Sequence, residues 1–494
     1  MRPTDTDRRS FLAAAVAATA ASRAVAAPAP GGASLPARDP ARAEVRLGVV
    51  GLRSRGWEHV NAFARVPGCR VVALCDVDRD VLEQRADECR KGDGRRAPFE
   101  VRTYGDPRAL FAADDVDAVA IATPNHTHAM LGVFAMQAGK HVYVEKPVSH
   151  VVDEGQRLVD VAAATKKVCA SGTQARSHKA VQEAMAFVHG GGLGAVLCAR
   201  GLCYKPRRPI GKVAGPQFAP SSVDYDRWLG PVAYRPLQRK NLHYDWHWDL
   251  HTGNGDLGNQ GIHQMDLARW ALGWRGLPDR ALSLGGRFGE ADDGDSPNTQ
   301  VVWLDCGGTP LLFEVRGLPV DAAAQRGKWQ MDRFQGVDIG VVVHGELGTV
   351  RFTADYGRAA CFDHAGKVVQ EWKGGGDHFA NFVQACAAND PAMLAAPALE
   401  GHLSSAFCHY GIVSHQCGTR GDEAAATKAA DRVPELAAAF ARMTQHLQAN
   451  GVDLAATPLT VGRELVIAKA DGAIVDDAEA SARCRRVARA PYTF

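Results

Sequence analysis

Residues 49–59 read VVGLRSRGWEH, and how this turn is read decides the fold. It nearly spells G-x-G-x-x-G, the turn that leads a first strand into a first helix and offers backbone N–H groups and a helix N-terminus to a pyrophosphate. Gly51 and Gly56 hold the outer positions, but Arg53 stands where the middle glycine belongs. A side chain there has to point away from the phosphates or curl around them, because the middle glycine normally lets backbone approach closely. The surroundings favour a variant loop over a chance turn. The apolar, β-branched run 45–51 leads into it, and a second run, 71–75, ends at Asp76. That carboxylate, about twenty residues past the loop, can accept hydrogen bonds from an adenosine ribose and repel a 2′-phosphate, so NAD is expected. Arg53 and Arg55 add cationic contacts to phosphate and leave NADP open.

Outward from the loop, the apolar runs 118–123, 141–144 and 168–172 continue the series, with amphipathic stretches such as 126–138 and 151–165 between them. Short apolar strands alternating with helices mean a parallel sheet covered on both faces. Residues 44–175 are therefore read as an α/β, doubly wound, NAD(P)-binding Rossmann domain. After residue 190 the texture changes to Gly- and Pro-rich loops with strand-like segments at 195–204, 281–288, 299–305, 311–316 and 338–353. They predict an α+β substrate-binding domain over 176–449, built on a large, mainly antiparallel open sheet. One face of such a sheet, bare of helices, would let two copies pair. Residues 450–494 are read as a C-terminal extension packing on the body.

At 494 residues the chain has room for two or three domains. With 46% hydrophobic and 23% charged residues and a net charge of +2, it is neither a disordered chain nor one with the basic footprint of a nucleic-acid binder. Residues 1–26 read as a twin-arginine export signal: Arg8-Arg9-Ser10-Phe11-Leu12, an Ala-rich run, then Ala24-Val25-Ala26 as the cleavage site, with 27–43 as linker. A periplasmic or secreted protein is expected, with no integral membrane segment in the mature form, because no later stretch reaches the length of a crossing. The twelve cysteines are irregularly spaced and read mainly as small packing residues, with one or two disulfides left open.

Three stretches fall at strand ends: Thr123-Pro124-Asn125-His126-Thr127-His128, Glu145-Lys146-Pro147, and Ser171-Gly172-Thr173-Gln174. Ligands of open α/β sheets bind outside the carboxyl ends of the strands. The cofactor-binding candidates are accordingly Gly51, Arg53, Ser54, Arg55, Gly56, Asp76, Thr123, Pro124, Asn125, His128, Glu145, Lys146 and Gln174. Tyr244, Trp246, His247 and Trp248 offer aromatic faces and polar edges suited to sugar rings. His243, His247 and His251 recur every four residues, but no further ligand pattern joins them, and no metal is expected.

On the glycine loop 51–56, the Glu145-Lys146-Pro147 motif and the run Asn259-Gln260-Gly261-Ile262-His263-Gln264-Met265-Asp266, the sequence resembles the Gfo/Idh/MocA oxidoreductases over most of residues 44–440. The resemblance implies a Rossmann domain and an open-sheet domain acting on sugars, polyols or related hydroxy compounds by hydride transfer. Lys146, His263 and Asn259 are the catalytic candidates. His263 is the expected base, with Lys146 hydrogen-bonded to the same substrate oxygen. Asn259, where the family pattern usually has Asp, should share a helical face with His263 and orient without sharing a proton. Asp266 joins the substrate candidates. The expected activity is that of an exported oxidoreductase of CH–OH groups on a sugar, polyol or glycoside, with tightly held NAD or NADP. The alternatives are an NAD-dependent glycoside hydrolase, which oxidises transiently and eliminates the aglycone, and a non-catalytic sugar-binding protein.

Overall fold

The structure, a computed structural model, describes residues 44–92 and 97–494. The proposed export signal lies outside them.

The first sheet has six strands: β1 (Val45–Val50), β2 (Cys69–Cys75), β3 (Arg102–Tyr104), β4 (Ala118–Ile121), β5 (His141–Val144) and β6 (Cys169–Ser171). Their order is β3-β2-β1-β4-β5-β6, with every neighbouring pair parallel. The order reverses between β1 and β4, and a crevice opens at such a switch point. Three helices frame it: α1 (Ser54–Phe63), α2 (Asn125–Gln137) and α3 (Val152–Thr165). The apolar runs mark five of these strands. β3 escapes them because its three residues are polar or half-exposed at the sheet edge.

The second sheet has eleven strands around β7 (Val196–Tyr204). Ile339–Gly345, Gly348–Thr353, Arg358–Phe362 and Val368–Lys373 extend it on one side. Thr309–Arg316, Thr299–Cys306, Arg280–Gly286, Leu459–Val461 and Thr419–Gly421 extend it on the other, and Leu465–Val466 also pairs with Arg280–Gly286. Only the pairing of Thr309–Arg316 with β7 is parallel. The α4 helix (Gly261–Ala271) packs against β7, burying Ile262, Met265 and Leu267.

Two features depart from the sequence reading. The α5 helix (His378–Ala388), capped by Asp377 on the N–H groups of Phe379 and Ala380, returns to the first sheet, where Phe382 and Val383 join Leu47, Val49 and Phe63. Segment 176–449 therefore contributes to both lobes. Secondly, the sheet face expected to be bare is covered over part of its width. Beyond α6 (Ala398–Gln416), α7 (Pro434–Ala449) buries Leu436, Phe440, Met443 and Leu447 against Leu282, Leu284, Val301 and Leu312. Burial of this kind contributes about 25 cal/mol per Å² of apolar surface, so α7 is part of the core.

The extension 450–494 divides: two short strands join the second sheet, while Arg486 reaches the first lobe, bonding Glu154 on α3 at 2.7 Å. All twelve cysteines are free, and all but Cys69 are buried. No helix among the described residues is long and apolar enough to cross a membrane.

Candidate active site

The turn after β1 explains its own glycines. At Gly51, with φ +82°, a Cβ would lie 2.8 Å from the Ala122 carbonyl oxygen, and a Cβ on Gly56 would lie 1.7 Å from the Gly51 oxygen. Arg53 is extended, with φ −83° and ψ 160°, so its position needs no glycine, and its half-exposed side chain passes 3.9 Å from Asp78. The left-handed step falls on Ser54, at φ 31°. The N–H groups of Arg53, Ser54 and Arg55 find no acceptor among the described residues. Successive free N–H groups at a helix N-terminus form a concave anion site, which fits a dinucleotide's pyrophosphate.

Asp76, at the end of β2, accepts from Leu52 N–H at 2.8 Å and from Asp78 N–H at 2.9 Å. Burial raises its carboxyl to about 6 against those two hydrogen bonds. Each oxygen keeps an acceptor position for a ribose hydroxyl.

Loop and carboxylate open on a cavity of about 720 Å³, lined at one end by Asp106, Arg108 and Phe134 and at the other by Lys146, Lys205, His247 and Asn259. That volume suits a bound organic cofactor with part of a substrate. Eleven of the thirteen cofactor candidates line it; Gly56 and Gln174 do not. Gly56 acts through packing, and the Gln174 side-chain oxygen instead accepts from Arg55 at 3.3 Å. His128 lies 2.6 Å from the Thr123 oxygen and 2.7 Å from the Pro147 oxygen, fastening two strand-end loops together. Asn125 donates to Asn254 at 2.9 Å, joining the lobes.

Glu145 anchors the reactive end. Burial would raise its carboxyl, but Arg55 at 2.7 Å and His59 at 3.0 Å hold it well below the usual range. Beside it, burial lowers the Lys146 ammonium to about 8, outweighing Glu145. Lys146 Nζ donates to the Asn259 carbonyl oxygen at 3.0 Å and lies 3.4 Å from Asn259 Oδ1. One strand-end loop of the first lobe thus meets the second lobe inside the cavity.

From the second lobe, Tyr244, Trp246 and His247 line the cavity. The His247 ring stacks on Trp246 with centroids 3.7 Å apart, and its Nδ1 donates to the Tyr244 oxygen at 2.6 Å. That bond fixes the tautomer with Nε2 as acceptor, and burial lowers the imidazole to about 3, keeping it neutral.

Several expectations are corrected. Asn259 does not share a helical face with His263: it terminates the turn Gly255–Gly258 at φ −86°, ψ −80°, and α4 begins only at Gly261. His263 is buried, is not among the cavity-lining residues, and has an Nδ1 without a partner among the described residues. Burial, then the Lys146 charge, push its imidazole well below its ordinary value. Asp266, expected at the substrate, is fully buried and outside the cavity lining, takes Arg176 through bonds of 2.9–3.0 Å and accepts from Ser404 at 2.7 Å. Trp248 lies outside the cavity lining, under the Arg207 guanidinium at 5.1 Å.

Sequence reasoning missed Lys205 and Arg207, both on the cavity wall just past the end of β7. Lys205 donates to Gln260 at 2.7 Å, and Arg207 grips Asp256 through two bonds of 2.7 and 2.6 Å. Their signal was a strand end followed by two cations. The spaced histidines go separate ways, His243 to Asp78 and His251 to the Ala233 oxygen, and among the described residues no group of three or more His, Cys, Asp or Glu is placed to hold a metal.

Residues 45–173 match the model described as "Oxidoreductase family, NAD-binding Rossmann fold", and residues 198–278 match "Oxidoreductase family, C-terminal alpha/beta domain". Over these two stretches the chain is similar to the two domains of the Gfo/Idh/MocA oxidoreductases. Among curated proteins it is similar to a "Glycosyl hydrolase family 109 protein" of Shewanella baltica, 33% identical over 174 residues, which are 33% of this chain and 38% of that protein. The matched stretch thus spans well under half of that relative. Among solved structures it resembles the WlbA dehydrogenase of Bordetella pertussis in complex with NADH and UDP-GlcNAcA, at TM-score 0.53 and 18% identity, covering 75% of this chain and 95% of that one. A levoglucosan dehydrogenase complex with NADH and levoglucosan gives TM-score 0.55 and 16% identity, covering 75% and 96%. Likeness at such identities concerns the fold.

Proposed function

We propose that this protein transfers hydride between a carbinol carbon of a carbohydrate and NAD bound in the cavity. The reading rests above all on Lys146, an amine lowered to about 8 and held against Asn259 of the facing lobe, in a cavity continuous with the glycine loop. Arg53, Ser54 and Arg55 would hold the pyrophosphate on their N–H groups, and Asp76 the adenosine ribose. The nicotinamide supplies the hydride acceptor. Lys146, as free amine, takes the hydroxyl proton while the C–H bond breaks, leaving a carbonyl. The neutral His247 Nε2 accepts a hydrogen bond from a substrate hydroxyl and orients the ring, with Trp246 behind it.

The relatives' name supports a second reading, glycoside hydrolysis. Transient oxidation makes the C–H next to the new carbonyl acidic; its proton leaves, the aglycone departs with the bonding pair, water adds, and the hydride returns. Product analysis separates the two readings. Net accumulation of oxidised sugar with reduced NAD supports the dehydrogenase, and aglycone release without net change in NAD supports the hydrolase. Neither product from any glycoside or free sugar would leave a binding protein.

A further inference from the structure

Beyond both family matches, residues 486–494 come back to the cavity, and Pro491 and Tyr492 form part of its wall. They stand with Asp106, Pro107, Arg108 and Phe134 in the lining, and in the strand order Asp106–Arg108, which follow β3, and Lys146, which follows β5, fall on opposite sides of Asp76 at the end of β2. The tail is fastened on both sides of that end. Towards the second lobe, the Tyr492 hydroxyl donates to Asp226 Oδ2 at 2.7 Å, and Arg489 donates to Asp226 Oδ1 and the Asp226 carbonyl oxygen at 2.6 Å and to the Val232 oxygen at 2.9 Å. Towards the first lobe, the Pro491 oxygen accepts from Arg108 at 2.7 Å. The Arg108 guanidinium lies between the Phe134 ring at 5.1 Å and the Tyr492 ring at 5.5 Å. Upstream, Arg486 is tied to α3 through Asp153 and Glu154.

Asp226 and Arg108 both line the cavity, so a chain that joins them runs along its wall from one lobe to the other. We propose that residues 486–494 belong to the dinucleotide site, as a strap that walls the adenosine half with the Tyr492 ring and Pro491 and has to detach before the dinucleotide leaves. The inference rests on the reading that this cavity takes NAD. The assignment to the adenosine half follows from order: Asp76 marks the ribose, the glycine loop the pyrophosphate, and Lys146 the reacting end. A flat apolar wall with a polar tip suits a purine and its ribose. A ligand behind a strap escapes at its intrinsic rate multiplied by the open fraction, and each 1.4 kcal/mol of closure slows release about tenfold.

The test loads the full chain with labelled NAD and follows its release into excess unlabelled NAD. It compares the wild type with Arg489→Gln, Tyr492→Ala and a chain ending at residue 488. Arg486 is kept, because its loss would strand buried Glu154. The expected result is release at least about tenfold faster in the shortened chain, intermediate in the point variants. Should shortening unfold the protein, the two point variants decide. Release unchanged in the folded variants overturns the strap while leaving the cofactor reading intact. A wild type that binds no NAD overturns both.

Discussion

A lysine amine lowered to about 8 exists in both protonation states near neutrality, and only the uncharged form can take a proton. Oxidation of the alcohol should therefore accelerate as pH rises through about 8 and level off above it. Lys146→Arg, a cation throughout that range, should abolish the rise and lower kcat by about 10²–10⁴-fold, read from pH–rate profiles. An unaltered profile would remove the amine from the chemistry. Asp266 is the opposite case. It was legible as one letter of a motif, yet a motif does not say whether an acid meets ligand or protein. Its burial depends on Arg176 and on Ser404, which lies 138 residues away. Asp266→Asn leaves the buried Arg176 guanidinium with Glu400 as its remaining carboxylate partner among the described residues, and should cost about 3 kcal/mol in denaturant unfolding. Folded variant should keep its substrate KM; a raised KM with unchanged stability would return Asp266 to the substrate site.

Among the elements, the glycine loop was legible because its constraint is local. Gly56 has to pass the Gly51 carbonyl at a distance no Cβ tolerates. Gly56→Ala should displace the loop and weaken NAD binding at least about a hundredfold, measured by fluorescence titration. Arg53→Gly should change binding little, since Arg53 already adopts a conformation any residue allows. The parallel strands were equally open to reading, being short apolar runs buried on both faces. The second sheet was legible as strands but not as an order. β7 pairs with segments 309–316 and 339–345, more than a hundred residues onward, and no local pattern encodes such pairing. Nor did the sequence of α5 reveal that it crosses back to the first lobe. Its apolar side would fit either core, and only the path of the chain after residue 373 decides.

In the whole molecule, the chemistry depends on a seam. Asn125 with Asn254, His150 with the Gly253 oxygen, and Lys146 with Asn259 join the lobes along one line, and buried polar groups of this kind are costly unless satisfied. The motifs predicted that the lobes meet here. They placed His247 at the site, but did not reveal that Lys205 and Arg207 would line the meeting place while His263 stayed outside the lining, because those positions depend on how the loop after β7 and the turn at 245–248 pack. Export is a separate prediction carried by Arg8 and Arg9. Replacing both by Lys should leave the protein in the cytoplasm, as read by cell fractionation, whereas unchanged export would refute a twin-arginine signal. The central claim is that a sugar C–H hydrogen passes to a nucleotide in the cavity while Lys146 takes the proton. Its most direct test is a rapid-quench first turnover with a sugar or glycoside deuterated at its ring carbons, followed by mass measurement of the nucleotide freed on denaturation. Under either reaction the account predicts NAD reduced and one deuterium heavier in the wild type, with none in Lys146→Met. Product formed while the nucleotide stays unlabelled would contradict it.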